Sequence, residues 1–346
     1  THTDPLASTH EARLPDTCRS AACHPTAGHA VSTAAVHLDI SAGEGIEYFI
    51  AALFVLLILC TFGPSVVLQA LEMLQLAVGR HDPRQHMRER LAEQLMQTHR
   101  GRAALTRFTI HQRVQHWILA LCFTVLCLTG FPIKFAERGL AHRLIDLFGG
   151  LHNARSLHRI AGVILIVGFL YHFLYVLVHA IRQKHRSKKS WVKIILELPM
   201  VTNPQDLRLL WKQLGFLLFL RKERPELGRF SLKEKFEYFG VFWGSALLGV
   251  TGILLWANAW TTTYLTGRVL TVALLIHGFE AFLALLHVGI IHMIGVIFSP
   301  AVFPLSPAMF SGDTPAEELA EAHAGRLEEA AQTVGMTAPG SGGAHH

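Results

Sequence analysis

Two apolar stretches decide the reading: LHRIAGVILIVGFLYHFLYVLVHAI at residues 157–181 and VLTVALLIHGFEAFLALLHVGIIHMIGVIF at residues 269–298. Each exceeds the roughly 20 helical residues needed to cross a hydrocarbon core about 30 Å thick. Each also carries three histidines: His158, His172 and His179 in the first, His277, His287 and His292 in the second. An imidazole is costly inside a bilayer unless a metal, a cofactor or a partner holds it. A single one is ordinarily just a hydrogen-bonded side chain, but a spaced pair on each of two helices is a stronger observation. His158 and His172 are separated by about 21 Å of helix rise and about 40° of rotation, and His277 and His292 by about 22 Å and about 60°. Each pair therefore lies roughly on one helix face, with its members near opposite membrane surfaces.

Three further runs, at 46–69, 116–133 and 239–260, are long and apolar enough to join them. The expected fold is all-α: an integral membrane bundle of about five transmembrane helices, four forming a core and one added at the N-terminus. Composition agrees, with 51% hydrophobic residues, 16% charged residues and a mean hydropathy of +0.35. The formal charge of +6 does not indicate nucleic acid, because the basic residues cluster beside apolar runs as they do at a membrane surface. The first and third loops hold 22 of the 31 Lys and Arg, which places both loops in the cytoplasm and the N-terminus on the periplasmic side of a bacterial inner membrane. The chain divides into an N-terminal periplasmic segment (1–45), a first helix (46–80), an amphipathic cytoplasmic linker (81–110), a core (111–300) with a cytoplasmic insertion (183–236), and a cytoplasmic tail (301–346). Within the tail, Thr314 and Glu317 form an N-cap pattern for a surface helix or a partner contact. The polar first forty residues contain no apolar core of the kind a cleavable signal peptide has.

Haem iron takes two axial imidazoles, and the flat macrocycle fits between helices of a bundle. The third and fifth spans run in the same direction, so His158 meets His277 in depth near the outer surface and His172 meets His292 near the inner one. Two stacked b haems would form a wire across the membrane. His116, which opens the second span, lies at the depth of His292 too, and spacing alone does not choose between His116 and His172. Gly162 and Gly278 beside the outer pair would let a flat ring approach, although close helix packing explains them equally well.

Cys60, Cys122 and Cys127 lie in apolar runs and read as small hydrophobes. Cys18 and Cys23 differ. CRSAACH, residues 18–24, ends in Cys-His like a c-type haem attachment site, with four residues between the cysteines instead of two. Two thiols for thioether bonds and an adjacent histidine as the fifth iron ligand are what that chemistry requires, and Cys18, Cys23 and His24 supply them. His29 or His37 could be the sixth ligand. A local disulfide is the plainer alternative.

The stretches RVQHWILALCFTVLCLTGFPIKF, LHRIAG, GRFSLKEKFEYFGVFW, LLGVTGILLW and LIHGFEAFLALLHVGIIHM together resemble the dihaem cytochrome b subunits of membrane-bound formate dehydrogenases and nickel-iron hydrogenases. The resemblance covers most of residues 107–299. It implies that His158 and His277 bind the outer haem, that His116 and His292 bind the inner one, and that a quinone site lies beside the inner haem at the start of the fourth span, where Ser231 and Glu234 stand. Glu234 is then a candidate proton acceptor, against the plainer reading of a surface carboxylate. The chain departs from the family in its extra first span and c-type segment, in a His277-to-His292 spacing one residue longer than the family's, and in His172. Fusion of a c-type segment to such a core resembles quinol oxidases that feed periplasmic or extracellular cytochromes.

The expected function is electron transfer between a membrane quinone or quinol and a periplasmic cytochrome or redox subunit, through two b haems and one covalent c haem. The rival from another class is a haem-containing anchor whose partner subunit catalyses. A transporter with histidine proton relays does not need paired spacings on parallel helices.

Overall fold

The computed structural model describes residues 45–78, 82, 84–136, 138–298 and 303–336. The described residues are helical or in turns and loops, and five rods are long and apolar enough to cross a membrane. These are α1 (Gly45–Ala77), α4 (Ile110–Lys134), α6 (Leu151–Ser187), α9 (Leu232–Trp256) and α11 (Gly267–Ile297). Between them stand α2 (Gln85–Gln97), α3 (His99–Leu105), α5 (Gly139–Leu147), α7 (Trp191–Leu196), α8 (Pro204–Leu217) and α10 (Asn258–Tyr264). Two short helices, α12 (Ala316–Ala322) and α13 (Ala324–Val334), close the chain.

Local chemistry sets the helix starts. Thr109 and Gln112 form a reciprocal capping box at α4, Asn203 and Asp206 another at α8, and Ser231 and Glu234 a third at α9. Each satisfies orphan amides at a helix N-terminus. These starts lie several residues before the apolar runs themselves, so α4 and α9 begin earlier than hydropathy alone predicts. The fourth span also ends earlier, at Trp256 rather than near residue 260, because the chain turns at Ala257 into α10, whose Thr261 hydroxyl donates to the Leu254 carbonyl at 2.9 Å. The 37 residues of α6 span about 55 Å, so its basic end, with Lys184, His185 and Arg186, runs well beyond a hydrocarbon core.

The core is two antiparallel hairpins, α4 against α6 and α9 against α11, joined through α6 and α9. The fifth rod, α1, lies outside them against α11. Large apolar side chains such as Phe49, Leu59, Val167 and Val250 are at least 60% exposed, which is tolerable only if lipid is the solvent.

Helices α2, α3, α12 and α13 build a separate small core from Leu91, Leu95, Leu105, Leu319 and Leu327. The linker and the tail, segments separated in sequence by the whole four-helix core, therefore form one cap over one end of the bundle. The tail helix starts after Pro315, one residue later than the Thr314 cap pattern predicts. Arg107 ties the cap to the bundle: it pairs with Glu234 of α9, and its guanidinium donates to Glu318 at 2.8 Å. The insertion docks through α8, where Gln75 of α1 donates to the Phe216 and Leu217 carbonyls at 3.1 and 2.7 Å, and Lys235 pairs with Asp206 at 2.8 Å. Trp211, at 71% exposure, and Leu207 project from α8, the kind of apolar face a helix presents at a membrane interface.

Candidate functional site

Inside the bundle, histidines meet in two facing pairs. Far from the cap, His158 of α6 and His277 of α11 have ring centroids 6.3 Å apart. Each is held from behind by the preceding span. The Thr129 hydroxyl donates to the Val125 carbonyl at 2.7 Å and lies 2.9 Å from His158 Nδ1. The Thr251 hydroxyl donates to the Leu247 carbonyl at 2.7 Å and lies 3.0 Å from His277 Nδ1. With its proton committed to the backbone, each hydroxyl can only accept, so Nδ1 carries the ring proton and Nε2 keeps its lone pair. A glycine follows each threonine. A Cβ at Gly130 would stand 2.9 Å from His158 Cε1, and one at Gly252 would stand 3.4 Å from His277 Cε1. These Thr-Gly supports were missed in the sequence, although CLTGF and GVTGI carry them at matching places in the second and fourth spans.

At the cap end, His116 of α4 faces His292 of α11 with ring centroids 6.4 Å apart. Glu237 accepts from His292 Nδ1 at 3.1 Å, which again leaves Nε2 free. His116 Nδ1 is buried without a hydrogen-bond partner among the described residues. His172 is differently placed. Its Nδ1 donates to Gln115 Oε1 at 2.8 Å and its Nε2 accepts from the Tyr238 hydroxyl at 2.7 Å. Both of its nitrogens are engaged, and the ring brought against His292 is that of His116.

A local irregularity leads up to that meeting. Residues Leu285–His292 form a π-helical stretch inside α11. A π turn holds about one residue more than an α turn, and at its end His292 faces His116.

The donor sets discriminate between ligands. No group of three or more His, Cys, Asp or Glu able to hold a metal ion exists among the described residues, whereas a bare zinc-like ion takes about four protein ligands. Two opposed imidazoles suit an iron whose remaining positions belong to a macrocycle. With metal–nitrogen bonds of about 2 Å, two such rings would have centroids roughly 6 Å apart, as both pairs do. The free Nε2 atoms, the glycine beside each ring of the first pair and the orphaned His116 nitrogen all fit that group.

Ser231 and Glu234 lie at the cap end of α9. Glu234 accepts from the Ser231 amide at 2.7 Å and from its hydroxyl at 2.9 Å, and also binds Arg107. Nearby in the cap, His323 Nδ1 donates to the Gly228 carbonyl at 3.1 Å. Burial pushes the His323 imidazolium pKa down to about 4, and burial holds the Glu318 carboxyl above the usual carboxylate range. His179 joins neither pair. Cys60, Cys122 and Cys127 are free thiols. The c-type attachment set of Cys18, Cys23 and His24, with His29 and His37, lies outside the described residues.

The sequence pattern of the family described as Prokaryotic cytochrome b561 matches residues 107–312. The chain is 23% identical over 197 residues to the cytochrome b556(fdo) subunit of formate dehydrogenase from Escherichia coli K12, covering 57% of this chain and 81% of that protein. It is 24% identical over 181 residues to the nitrate-inducible cytochrome b556(Fdn) subunit of formate dehydrogenase from the same strain, covering 52% of this chain and 72% of that one. The cytochrome b556 subunit of formate dehydrogenase from Haemophilus influenzae is 26% identical over 171 residues, covering 49% and 62%. Helix α1 and the segment before it fall outside the matched family residues.

Proposed function

The chain belongs to the prokaryotic cytochrome b561 family, and on that premise we propose that it carries electrons between a membrane quinone or quinol and a redox partner on the other side of the membrane. His158 with His277 would hold one b haem and His116 with His292 a second. The observation that carries this reading is the pair of facing imidazole sets at opposite ends of one bundle, 6.3 and 6.4 Å between centroids. When bound, haem supplies a one-electron redox centre, and the protein supplies ligands, spacing and dielectric. Thr129 and Thr251 fix the tautomer and ring plane of the far pair, and Glu237 does the same for His292. Apolar side chains on the spans exclude water from both.

The basic first and third loops support a cytoplasmic cap and a periplasmic N-terminus. On that side Cys18, Cys23 and His24 would attach a c haem, with His29 or His37 as sixth ligand, and hand electrons to or from a periplasmic cytochrome or redox subunit. Ser231 and Glu234 would mark the quinone end of α9. The similarity to formate dehydrogenase subunits supports a second reading, a haem-bearing anchor in a respiratory complex whose chemistry lies in a partner.

A pyridine haemochrome spectrum of the purified chain tests the cofactor set: two b haems per c haem are expected, and absence of b haem overturns the proposal. Quinol-dependent haem reduction in the isolated chain separates carrier from anchor, since an anchor whose haems only stabilise the fold stays oxidised.

A further inference from the structure

Outside the two histidine pairs, one imidazole in the bundle has both nitrogens buried and unpartnered among the described residues. It belongs to His287, on the π stretch of α11. An unpaired polar group in a membrane interior is expensive and is a functional candidate by default. Its ring lies between Phe236 of α9 and Phe62 of α1, with centroid distances of 5.9 and 6.3 Å.

A second orphan lines the same seam. Gln69 of α1 is only 6% exposed, and its Nε2 has no partner among the described residues. Its Oε1 accepts from Lys233 Nζ at 2.9 Å; an ammonium can only donate, so the amide is oriented with its NH2 group left over. Gln69 follows Phe62 by two helical turns, about 10.5 Å along the same face of α1. On the α9 side, a Cβ at Gly240, one turn after Phe236, would meet no atom within 4 Å.

We propose that this α1–α9–α11 seam binds the head group of a quinone, with His287 donating to one carbonyl oxygen, the Gln69 amide to the other, and Phe62 and Phe236 flanking the ring. A para-quinone is flat, apolar on its faces and carries an acceptor at each end, which matches two donors spaced along one face between aromatic side chains. The inference rests on the quinone-linked reading above and adds a location to it. Ser231 and Glu234 are engaged with each other and with Arg107, while His287 and Gln69 have hydrogen bonds to give. Because α1 lies outside the matched family residues, half of the site belongs to the part of the chain beyond the family pattern.

The full haem-loaded chain in lipid nanodiscs, photolabelled with an azido-substituted short-chain benzoquinone, tests the proposal. Label is expected on peptides covering residues 60–70 and 285–292. His287→Leu and Gln69→Leu should each weaken labelling and raise the KM for a short-chain quinol about 3–10-fold, the loss of one hydrogen bond, with b-haem content and kcat retained. His287→Gln, which keeps a donor, should recover part of the affinity. Label confined to residues 231–234, or an unchanged KM in both leucine variants, overturns the location while leaving quinone-linked transfer standing. Haems that no quinol reduces overturn both. If a leucine variant fails to fold, the wild-type label positions alone decide.

Discussion

His158 and His277 face each other at 6.3 Å, and each ring is held from behind by a threonine whose own proton is committed to its helix. The arrangement fixes which nitrogen faces the bundle interior before any iron arrives. Thr129→Val and Thr251→Val keep the side-chain shape but leave an Nδ1–H buried without an acceptor. Each should lower affinity for the far haem about 10–100-fold, read by haem titration of the apoprotein. His158→Ala or His277→Ala should remove that haem outright, halving the b-haem signal. Full occupancy in the histidine variants would refute the ligand assignment.

The glycines behind the same pair make unequal demands. Alanine at residue 130 would bring its Cβ to 2.9 Å from His158 Cε1, closer than such atoms approach, whereas at residue 252 the distance is 3.4 Å, ordinary contact. Neither neighbour is a flexible chain end. Gly130→Ala should therefore displace His158 and broaden or deplete the far haem, and Gly252→Ala should leave its spectrum close to that of wild type. Equal effects from the two would mean that the ring positions are not set by these helices.

At the cap end, His116 and His172 make different bonds. His116 has a nitrogen without a partner among the described residues and faces His292, while His172 is tied to Gln115 and Tyr238 at 2.8 and 2.7 Å. His116→Ala should abolish one low-spin b signal in electron paramagnetic resonance. His172→Ala should keep both signals and shift a midpoint potential or quinone affinity instead. Two intact signals in His116→Ala would transfer the ligand role to His172.

How much of this was legible in the sequence depended on range. Five spans and the His158–His277 match follow from hydropathy and helical rise, which are local quantities. That His116 rather than His172 faces His292 is not a local matter, since His172 is held by Gln115 and Tyr238, which stand on two other spans. The cap was half visible: the amphipathic linker holding Leu91 and Leu95 was readable, but its partners Leu319 and Leu327 stand beyond the last span and nothing local links them. The Ser231–Glu234 spacing matches a capping box as well as Thr109–Gln112 does, and both form one. Thr129 and Thr251 stayed hidden because a threonine in a membrane helix commonly bonds its own backbone, as these also do.

The cap carries a pH signature with a definite sign. Burial lowers the His323 pKa to about 4, below its ordinary value of about 6.5. The unfolded cap therefore binds a proton that the folded cap refuses. The stability His323 contributes is complete above about pH 6.5 and falls as pH drops toward 4, by at most about 1.4 kcal/mol per pH unit. Glu318 acts oppositely: burial raises its pKa, so its contribution grows on acidification. Comparison of wild type with His323→Gln isolates the imidazole. Limited proteolysis of residues 314–336 should accelerate between pH 6.5 and 5 in wild type and less steeply in the variant, and parallel profiles would remove His323 from the account.

The π stretch offers the most direct test of how α11 positions His277 and His292. In a continuous α-helix, removing one residue between His277 and His292 would rotate everything beyond it by about 100°, turning the second imidazole away from His116. If Leu285–His292 instead stores one inserted residue, deletion of Gly289 relaxes the stretch to α-helix and leaves the second imidazole in register. The deletion variant should keep both low-spin b haems. It should also lose quinol affinity, because His287 lies on the stretch that the deletion reshapes. Insertion of one alanine after Gly289 should do the reverse to the haems, leaving the His158–His277 signal and eliminating the other. Haemochrome quantitation with electron paramagnetic resonance on the two variants decides the point: loss of the His116–His292 signal in the deletion variant would mean that the π turn is no stored insertion and that the register of His292 has another source.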